Sequence, residues 1–96
     1  LQEAMTLFLE RGPLREDSLW NVKEETQQVN FGQRTGLLVV LEGSEAEGET
    51  PMRSEIYMIR ADNQLIYIFG SSAPLSDWEA TSPILEAILN SVEILE

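Results

Sequence analysis

The fold is decided by one stretch of the sequence, residues 53–78, RSEIYMIRADNQLIYIFGSSAPLSDW. Two apolar runs, MRSEIYMIR and QLIYIFG, have the residue types and alternation of β-strands. The segment ADNQ between them is typical of a tight turn, because Asp and Asn tolerate unusual backbone angles. We place the centre of this turn at Asp62 and Asn63, which sets Tyr57 roughly opposite Ile68. The stretch therefore predicts an antiparallel hairpin that leaves through SSAP to a tryptophan.

Both faces of this hairpin are apolar, since side chains alternate between the two faces of a strand. Two explanations stay open: helices of this chain cover both faces, or one face meets a missing segment, another subunit or a ligand. Tyr57 and Tyr67 would contact each other diagonally across the hairpin, and Trp78 follows it. These three aromatic residues form the predicted ligand or partner surface. The two faces carry Glu55, Tyr57, Ile59, Leu65, Tyr67 and Phe69 on one side, and Ile56, Met58, Arg60, Ile66 and Ile68 on the other.

The segment LQEAMTLFLERGP at the start of the chain has apolar residues at helical spacing. Gly12 followed by Pro13 ends this helix, because glycine accepts the left-handed cap and proline cannot continue the helix. The predicted apolar face consists of Leu1, Ala4, Met5, Phe8 and Leu9.

Two further strands precede the hairpin. The first is predicted from about Ser18 to Thr26, where the alternation breaks, and it frays into a turn near Asn30–Gly32. The second, RTGLLVVLEG, contains the run Leu37–Leu41 without polar alternation, so we expect both of its faces to be covered at least in part.

The last helix has two competing starts. Ser76 with Glu79 fits a capping box, but Pro83 would then lie in the helix interior, at a cost of about 3 kcal/mol. Thr81 or Ser82 as the cap avoids that cost. We predict a short turn at residues 76–80 and the main helix from about Ser82 to Ser91, with VEILE as a short extended end. The apolar stripe of this helix is Ile84, Leu85, Ile88, Leu89 and Val92.

The order of helix, four strands and helix predicts an α+β fold, in which a four-stranded antiparallel meander sheet is flanked by an N-terminal and a C-terminal helix. With 96 residues, we expect a single domain over residues 1–96, a fragment that lacks upstream strands or a signal or anchor segment.

The composition excludes several function classes. Seventeen acidic residues against six basic ones give a net charge of −11, which argues against nucleic acid, since phosphate binding depends on Lys and Arg. No apolar run reaches the roughly 20 residues of a membrane span. The chain contains no cysteine and no histidine, so thiol nucleophiles, thiolate metal sites and histidine-based triads are excluded. Asp62 and Asp77 are carboxylates that could in principle act as an acid and a base, but a turn and a helix cap explain their positions. We therefore predict no catalytic residue, no enzyme activity and no cofactor.

The loop after the second strand is rich in glutamate and glycine. Its carboxylates are a weak candidate for a calcium site, because calcium prefers several oxygen ligands on a loop that curls around it. The spacing does not fit an EF-hand, and a solvated loop is the other interpretation. The candidate ligands are Glu42, Glu45, Glu47 and Glu49.

The segment NQLIYIFGSSAPLSDWEATSPILEAILNSVEIL resembles the end of the PsbP-like proteins and their small bacterial relatives. In that family a strand similar to YIFGSSAP leads to a tryptophan, a helix and a closing ILNSV. The upstream segments VNFGQRTGLLVVLEG and RSEIYMIR resemble the preceding strands, so the likeness covers about residues 18–95. The matching positions are Tyr67, Ala73, Pro74, Trp78, Ile88 and Ser91.

The resemblance implies an antiparallel sheet between helices and a role without catalysis. Members serve as extrinsic subunits of photosystem II, as a partner of a nuclear-transport GTPase, or as exported bacterial proteins without an assigned function. The chain departs from the family where strands usually precede the first helix, and at the basic and histidine positions of the photosystem proteins. No binding residue is therefore transferred from the family.

The sequence leads to one expected function and one alternative. We expect a binding or accessory domain of an exported or lipid-anchored bacterial protein, extracytoplasmic and acting through contact with an unknown protein partner. The domain would be a monomer or a homodimer. The alternative is a small-molecule or calcium-binding domain that uses the acidic loop or the hairpin surface.

Overall fold

The computed structural model describes residues 1–31, 34–61 and 65–91. It confirms the predicted α+β fold, a four-stranded antiparallel sheet with a helix before it and a helix after it. The strands lie in chain order, so each pairs with its neighbour in sequence. The elements are α1 (Gln2–Arg11), β1 (Asn21–Phe31), β2 (Arg34–Gly43), β3 (Met52–Arg60), β4 (Ile66–Pro74), a 3-10 turn (Leu75–Asp77) and α2 (Trp78–Asn90).

The core lies between α1 and one face of the sheet, which we call the α1 face. Met5 and Leu9 of α1 are buried there. Gly12 ends the helix as predicted, but the predicted left-handed cap is wrong, since its φ is −125° and its ψ is −106°. Burying such side chains is the main favourable term for docking the helix, at roughly 1.5–3 kcal/mol for each one. The buried sheet residues of this cluster are Val39 and Leu41 of β2 and Ile56 and Met58 of β3.

The opposite side of the sheet, which we call the α2 face, is also partly buried. Val40 is 2% exposed between Val39 and Leu41, which are each 1% exposed. Both faces of β2 are therefore covered at its centre, as the apolar run predicts. Ile59 and Ala73 are buried on the α2 face as well. The middle of both faces is therefore buried, but Ile66 and Ile68 of β4, which lie on the α1 face, stay exposed.

The predicted first strand is wrong in its bounds. β1 runs from Asn21 to Phe31, whereas the sequence placed it at residues 18–26. It passes through the broken alternation because its pairing with β2 shifts register twice, between Val22 and Glu24 and between Glu24 and Gln27. Such irregularities absorb extra residues without ending a strand. The side chain of Ser18 instead accepts a hydrogen bond from the Trp20 amide at 3.0 Å, in the connection before the strand.

The predicted fourth strand is also corrected. β4 extends through SSAP to Pro74, because Ser71, Ser72 and Ala73 continue the pairing with β3. The hydroxyl of Ser72 donates to that of Ser54 at 3.0 Å, so small polar residues suit this end of the ladder. Proline is tolerated at the end of the strand.

The register of the hairpin differs by one residue from the prediction. Tyr57 pairs with Phe69 and not with Ile68, and Tyr67 pairs with Ile59. Tyr57 and Tyr67 therefore lie diagonally on the same face, as predicted. The backbone amide of Ala61 donates to the carbonyl of Leu65 at 2.9 Å, next to the turn.

The last helix starts earlier than predicted, with Pro83 inside it. α2 begins at Trp78, directly after the 3-10 turn, and ends at Asn90. Proline lacks the amide that would bond to the carbonyl four residues earlier, here that of Glu79. Glu79 is exposed, so water can hydrate the freed carbonyl group. Trp78, the first residue of the helix, lies with its ring 5.1 Å from the guanidinium carbon of Arg53 on the sheet.

Some predictions fall outside the described residues: the turn at Asp62 and Asn63, the glycine at 32 and the closing segment VEILE. In the three described ranges, no helix is long and apolar enough to cross a membrane.

Candidate functional site

A cleft of about 220 Å³ lies between α2 and the α2 face of the sheet. Its floor comes from neighbouring strands, since Leu38 of β2 pairs with Tyr57 of β3, and Glu55 is two residues before Tyr57 on the same face. Its other wall comes from α2, where the helical repeat brings successive turns to one side. The helical lining consists of Trp78, Ser82, Leu85 and Glu86.

The floor of the cleft carries one internal hydrogen bond. The hydroxyl of Tyr57 donates to Oε2 of Glu55 at 3.1 Å. Burial, then the charge of Glu55, this hydrogen bond and the charge of Glu86 raise the pKa of Tyr57 from 10.0 to about 12. Each cause disfavours the phenolate, which is the negative form. Two carboxylates from different elements therefore act on the same point and make the cleft electronegative.

Arg53 lies beside the cleft and fixes Trp78. Its guanidinium carbon is 5.1 Å from the centre of the indole ring, the geometry of a cation–π interaction. Its Nη2 lies 3.0 Å from Oε2 of Glu24, and its Nη1 lies 3.8 Å from Oε1 of Glu42. Lys23 Nζ lies 4.0 Å from Glu42. The positive charge of Arg53 is thus matched by two carboxylates outside the cleft.

Arg53 is a charged residue beside the cleft that the sequence did not single out. Alternation along β3 places it on the face of Glu55 and Tyr57, and this signal is present in the sequence. Its contacts with β1, β2 and α2 follow only from the tertiary arrangement. Within the described ranges, Nε of Arg53 and the hydroxyl of Ser71 are buried without a hydrogen-bond partner.

The three predicted aromatic residues are only partly brought together. Tyr57 and Trp78 both line the cleft. Tyr67 is half-buried on the same face of the sheet but does not line it. Two of the three predicted aromatic residues therefore share the cleft, and Ser82, Leu85 and Glu86 of α2 also line it.

The acidic loop does not gather its carboxylates. Glu42 lies in β2 and is engaged by Arg53 and Lys23. The side chains of Glu45, Glu47 and Glu49 are exposed in the following loop. Over the described residues, no group of three or more acidic side chains is arranged to hold a metal ion.

The apolar stripe predicted for the last helix is divided. Leu85 turns toward the cleft, whereas Ile84 is 62% exposed and Ile88 57% exposed. Ala80 and Ala87 are exposed on the same side at helical spacing. We call these four residues, Ala80, Ile84, Ala87 and Ile88, the α2 stripe. The side chains of the other two predicted members, Leu89 and Val92, lie outside the described set.

A second, larger groove of about 350 Å³ lies on the α1 face, next to Phe8 and Trp20. Its polar floor is formed by Ser54 and Ser72, whose hydroxyls hydrogen-bond to each other. The charged residues that line this groove, Arg15 and Glu45, are of opposite sign, whereas the cleft under α2 has two carboxylates and no basic residue. The cleft under α2 is therefore the stronger candidate site.

Comparison of the chain with protein-family models, with curated proteins and with solved structures finds no match. The resemblance to the PsbP-like proteins therefore stays a prediction from the sequence pattern.

Proposed function

We propose that this chain is a non-catalytic binding or accessory domain that acts through protein–protein contact, with the α2 stripe as its docking surface. The occupant that we propose for this surface is a partner protein with an apolar groove and a basic rim. One observation carries the proposal: two isoleucines one helical turn apart, Ile84 and Ile88, remain mostly exposed on a helix that already packs against its own sheet.

The spacing of the α2 stripe is that of a helix recognised in a groove. Residues 80, 84, 87 and 88 project from one side of α2, which is the pattern of anchors in helix-in-groove complexes. Since each isoleucine is about three-fifths exposed, burying both would contribute about 2–3 kcal/mol of binding free energy. That contribution is large enough to decide whether a micromolar complex forms.

The charge of the chain supports a basic partner. α2 contains Glu79 and Glu86 but no lysine or arginine, and the whole chain has a net charge of −11. Like charge opposes association of two copies, whereas a basic rim would steer a partner toward the helix. A different protein is therefore a better occupant than a second copy of this chain.

The other parts of the proposal rest on the sequence. The absence of cysteine and histidine removes the commonest nucleophile–base pairs and supports a role without catalysis. The exported or lipid-anchored, extracytoplasmic setting and the PsbP-like family are supported only by the resemblance of the strand and helix pattern.

The test compares two variants as baits. The double variant Ile84→Ser/Ile88→Ser removes the stripe, and Leu7→Ser removes a comparably exposed leucine, 48% exposed, from α1. A protein retained by the natural chain is identified and purified, and its affinity for all three chains is measured by calorimetry at two salt concentrations. We expect the double variant to bind roughly 30- to 100-fold more weakly and the Leu7 variant to bind as the natural chain does.

Three outcomes would contradict the proposal. The first is equal affinity of the double variant and the natural chain. The second is a partner whose affinity does not fall as salt is added, because a partner with a basic rim should bind this acidic chain more weakly at high salt. The third is self-association that depends on Ile84 and Ile88, measured by analytical ultracentrifugation, which would make the stripe a homodimer interface.

A further inference from the structure

We propose that the cleft under α2 binds one organic cation, an alkylammonium or guanidinium group, presented by a lysine or arginine side chain of the partner protein. The inference rests on the proposed function for the source of the cation. The site itself is defined by residues of this chain that are separate from the α2 stripe.

The charges of the cleft favour a cation. Glu55 on the floor and Glu86 on the helical wall contribute two carboxylates, and no basic residue is present among the lining side chains. Arg53, the nearest cation named above, is held by Glu24 and Glu42. An incoming ammonium or guanidinium group would therefore meet acceptors whose charge is not already balanced inside the cleft, and charge-assisted hydrogen bonds are the stronger kind.

The remaining lining residues suit an organic cation rather than a metal ion. Tyr57 presents an aromatic ring, and aromatic rings attract ammonium and guanidinium groups. The ring of Trp78, over which the guanidinium of Arg53 already lies, completes the aromatic lining. Leu38 and Leu85 are apolar and match the methylene stem that carries such a group. Calcium requires more oxygen ligands than two carboxylates and a hydroxyl provide.

The size of the cleft favours one side chain over a larger ligand. Sites for drug-sized molecules are usually about 300–1,000 Å³, whereas this cleft measures about 220 Å³. A single long side chain is therefore a better occupant than a nucleotide or a sugar. The field that raises the pKa of Tyr57, through Glu55 and Glu86, is the same field that would stabilise a positive group there.

The proposal is tested without the partner, by NMR titration of the natural chain. The probes are capped lysine and capped arginine, N-acetylated and with a methylamide at the carboxyl end. Capped norleucine is the neutral control and capped glutamate the anionic one. We expect the two cationic probes to shift the indole N–H of Trp78 and the amides of Ser82 and Glu86, with an affinity that falls as salt is added.

Matched variants locate the binding. Both glutamates of α2 are exposed, but only Glu86 lines the cleft, so Glu86→Gln removes a carboxylate of the cleft, while Glu79→Gln removes one outside it and leaves the same net charge. We expect Glu86→Gln to weaken the cationic probes roughly two- to five-fold and Glu79→Gln to leave their affinity unchanged. Equal effects of the two variants, or shifts of equal size with capped norleucine, would overturn the inference.

A further arm distinguishes the source of the cation. We expect n-butylammonium and capped lysine to bind with similar affinity. If n-butylammonium binds and capped lysine does not, the cleft is too narrow for a side chain attached to a backbone. The proposal that a partner protein supplies the cation would then be wrong. This result would leave the docking role of the α2 stripe untouched, because that role is measured with the isoleucine variants alone.

Discussion

Raising the pH should leave Tyr57 protonated well beyond the range in which a tyrosine ordinarily ionises. Its pKa is raised to about 12, first by burial and then by Glu55 and Glu86. At pH 11, midway between 10.0 and that value, only about one tenth of Tyr57 should be ionised, against about nine tenths for an ordinary tyrosine. The ionised fractions are compared at pH 11 so that the chain need not be brought to pH 12, where it is more easily unfolded.

The effect on stability follows from the direction of the shift. Because the folded-state pKa lies above the ordinary one, the stabilisation from protonated Tyr57 is fully present below pH 10. It is lost as the pH rises from 10 toward about 12. The free energy of unfolding, measured with urea, should therefore fall in this interval, and it should fall less in Tyr57→Phe.

The assay uses a Tyr67→Phe background, in which Tyr57 is the only tyrosine of the chain. Tyrosinate absorbance is followed with pH, and circular dichroism at each pH reports that the chain is folded. Glu55→Gln should lower the pKa of Tyr57, because the negative charge is removed and the acceptor of its hydrogen bond becomes a neutral amide oxygen, but burial should keep it above 10. Glu86→Gln should lower it by less, and Glu79→Gln should leave it unchanged.

Two results would refute this reasoning. If Tyr57 is mostly ionised at pH 11 while the chain is folded, then neither burial nor the two carboxylates act on it as the structure indicates. If Glu86→Gln leaves its pKa unchanged, then Glu86 is not close enough to share the cleft. The second result would also remove the electrostatic support for the cation site.

Three other changes test the fold and the loop. Gly43→Ala should lower the free energy of unfolding by about 1–3 kcal/mol, because a Cβ would lie 2.6 Å from the Cα of Trp20. Urea denaturation measures this, with Gly70→Ala as the control, since the nearest atom to its Cβ would be 3.9 Å away. Pro83→Ala should raise the melting temperature, because up to about 3 kcal/mol of helix-interior strain is removed; no change would favour a helix that starts at residue 82. Millimolar calcium should not shift the NMR signals of residues 42–49, whose carboxylates do not converge; saturable shifts there would restore the calcium alternative.

The sequence predicted the site only in part, and the reason lies in how far apart its residues are. Alternation along β3 is a local property, so the shared face of Glu55 and Tyr57 could be predicted. The approach of Glu86 to that face depends on where α2 starts, and the start was wrong because Pro83 was given its usual place in the first turn. The helix begins at Trp78, so Glu86 lies about two helical turns after the first residue and on the side that lines the cleft.

What the sequence by itself determined is the order of elements and the two-sided apolar character of the central strands. Periodicity is written residue by residue, and it predicted α1, the paired strands and the buried run in β2. The tertiary structure decided the register of the hairpin, the full length of β1 and β4, and the exposure of Ile84 and Ile88. These features depend on which surfaces meet, because a helix with apolar residues on a broad face buries only the part that its own sheet can cover.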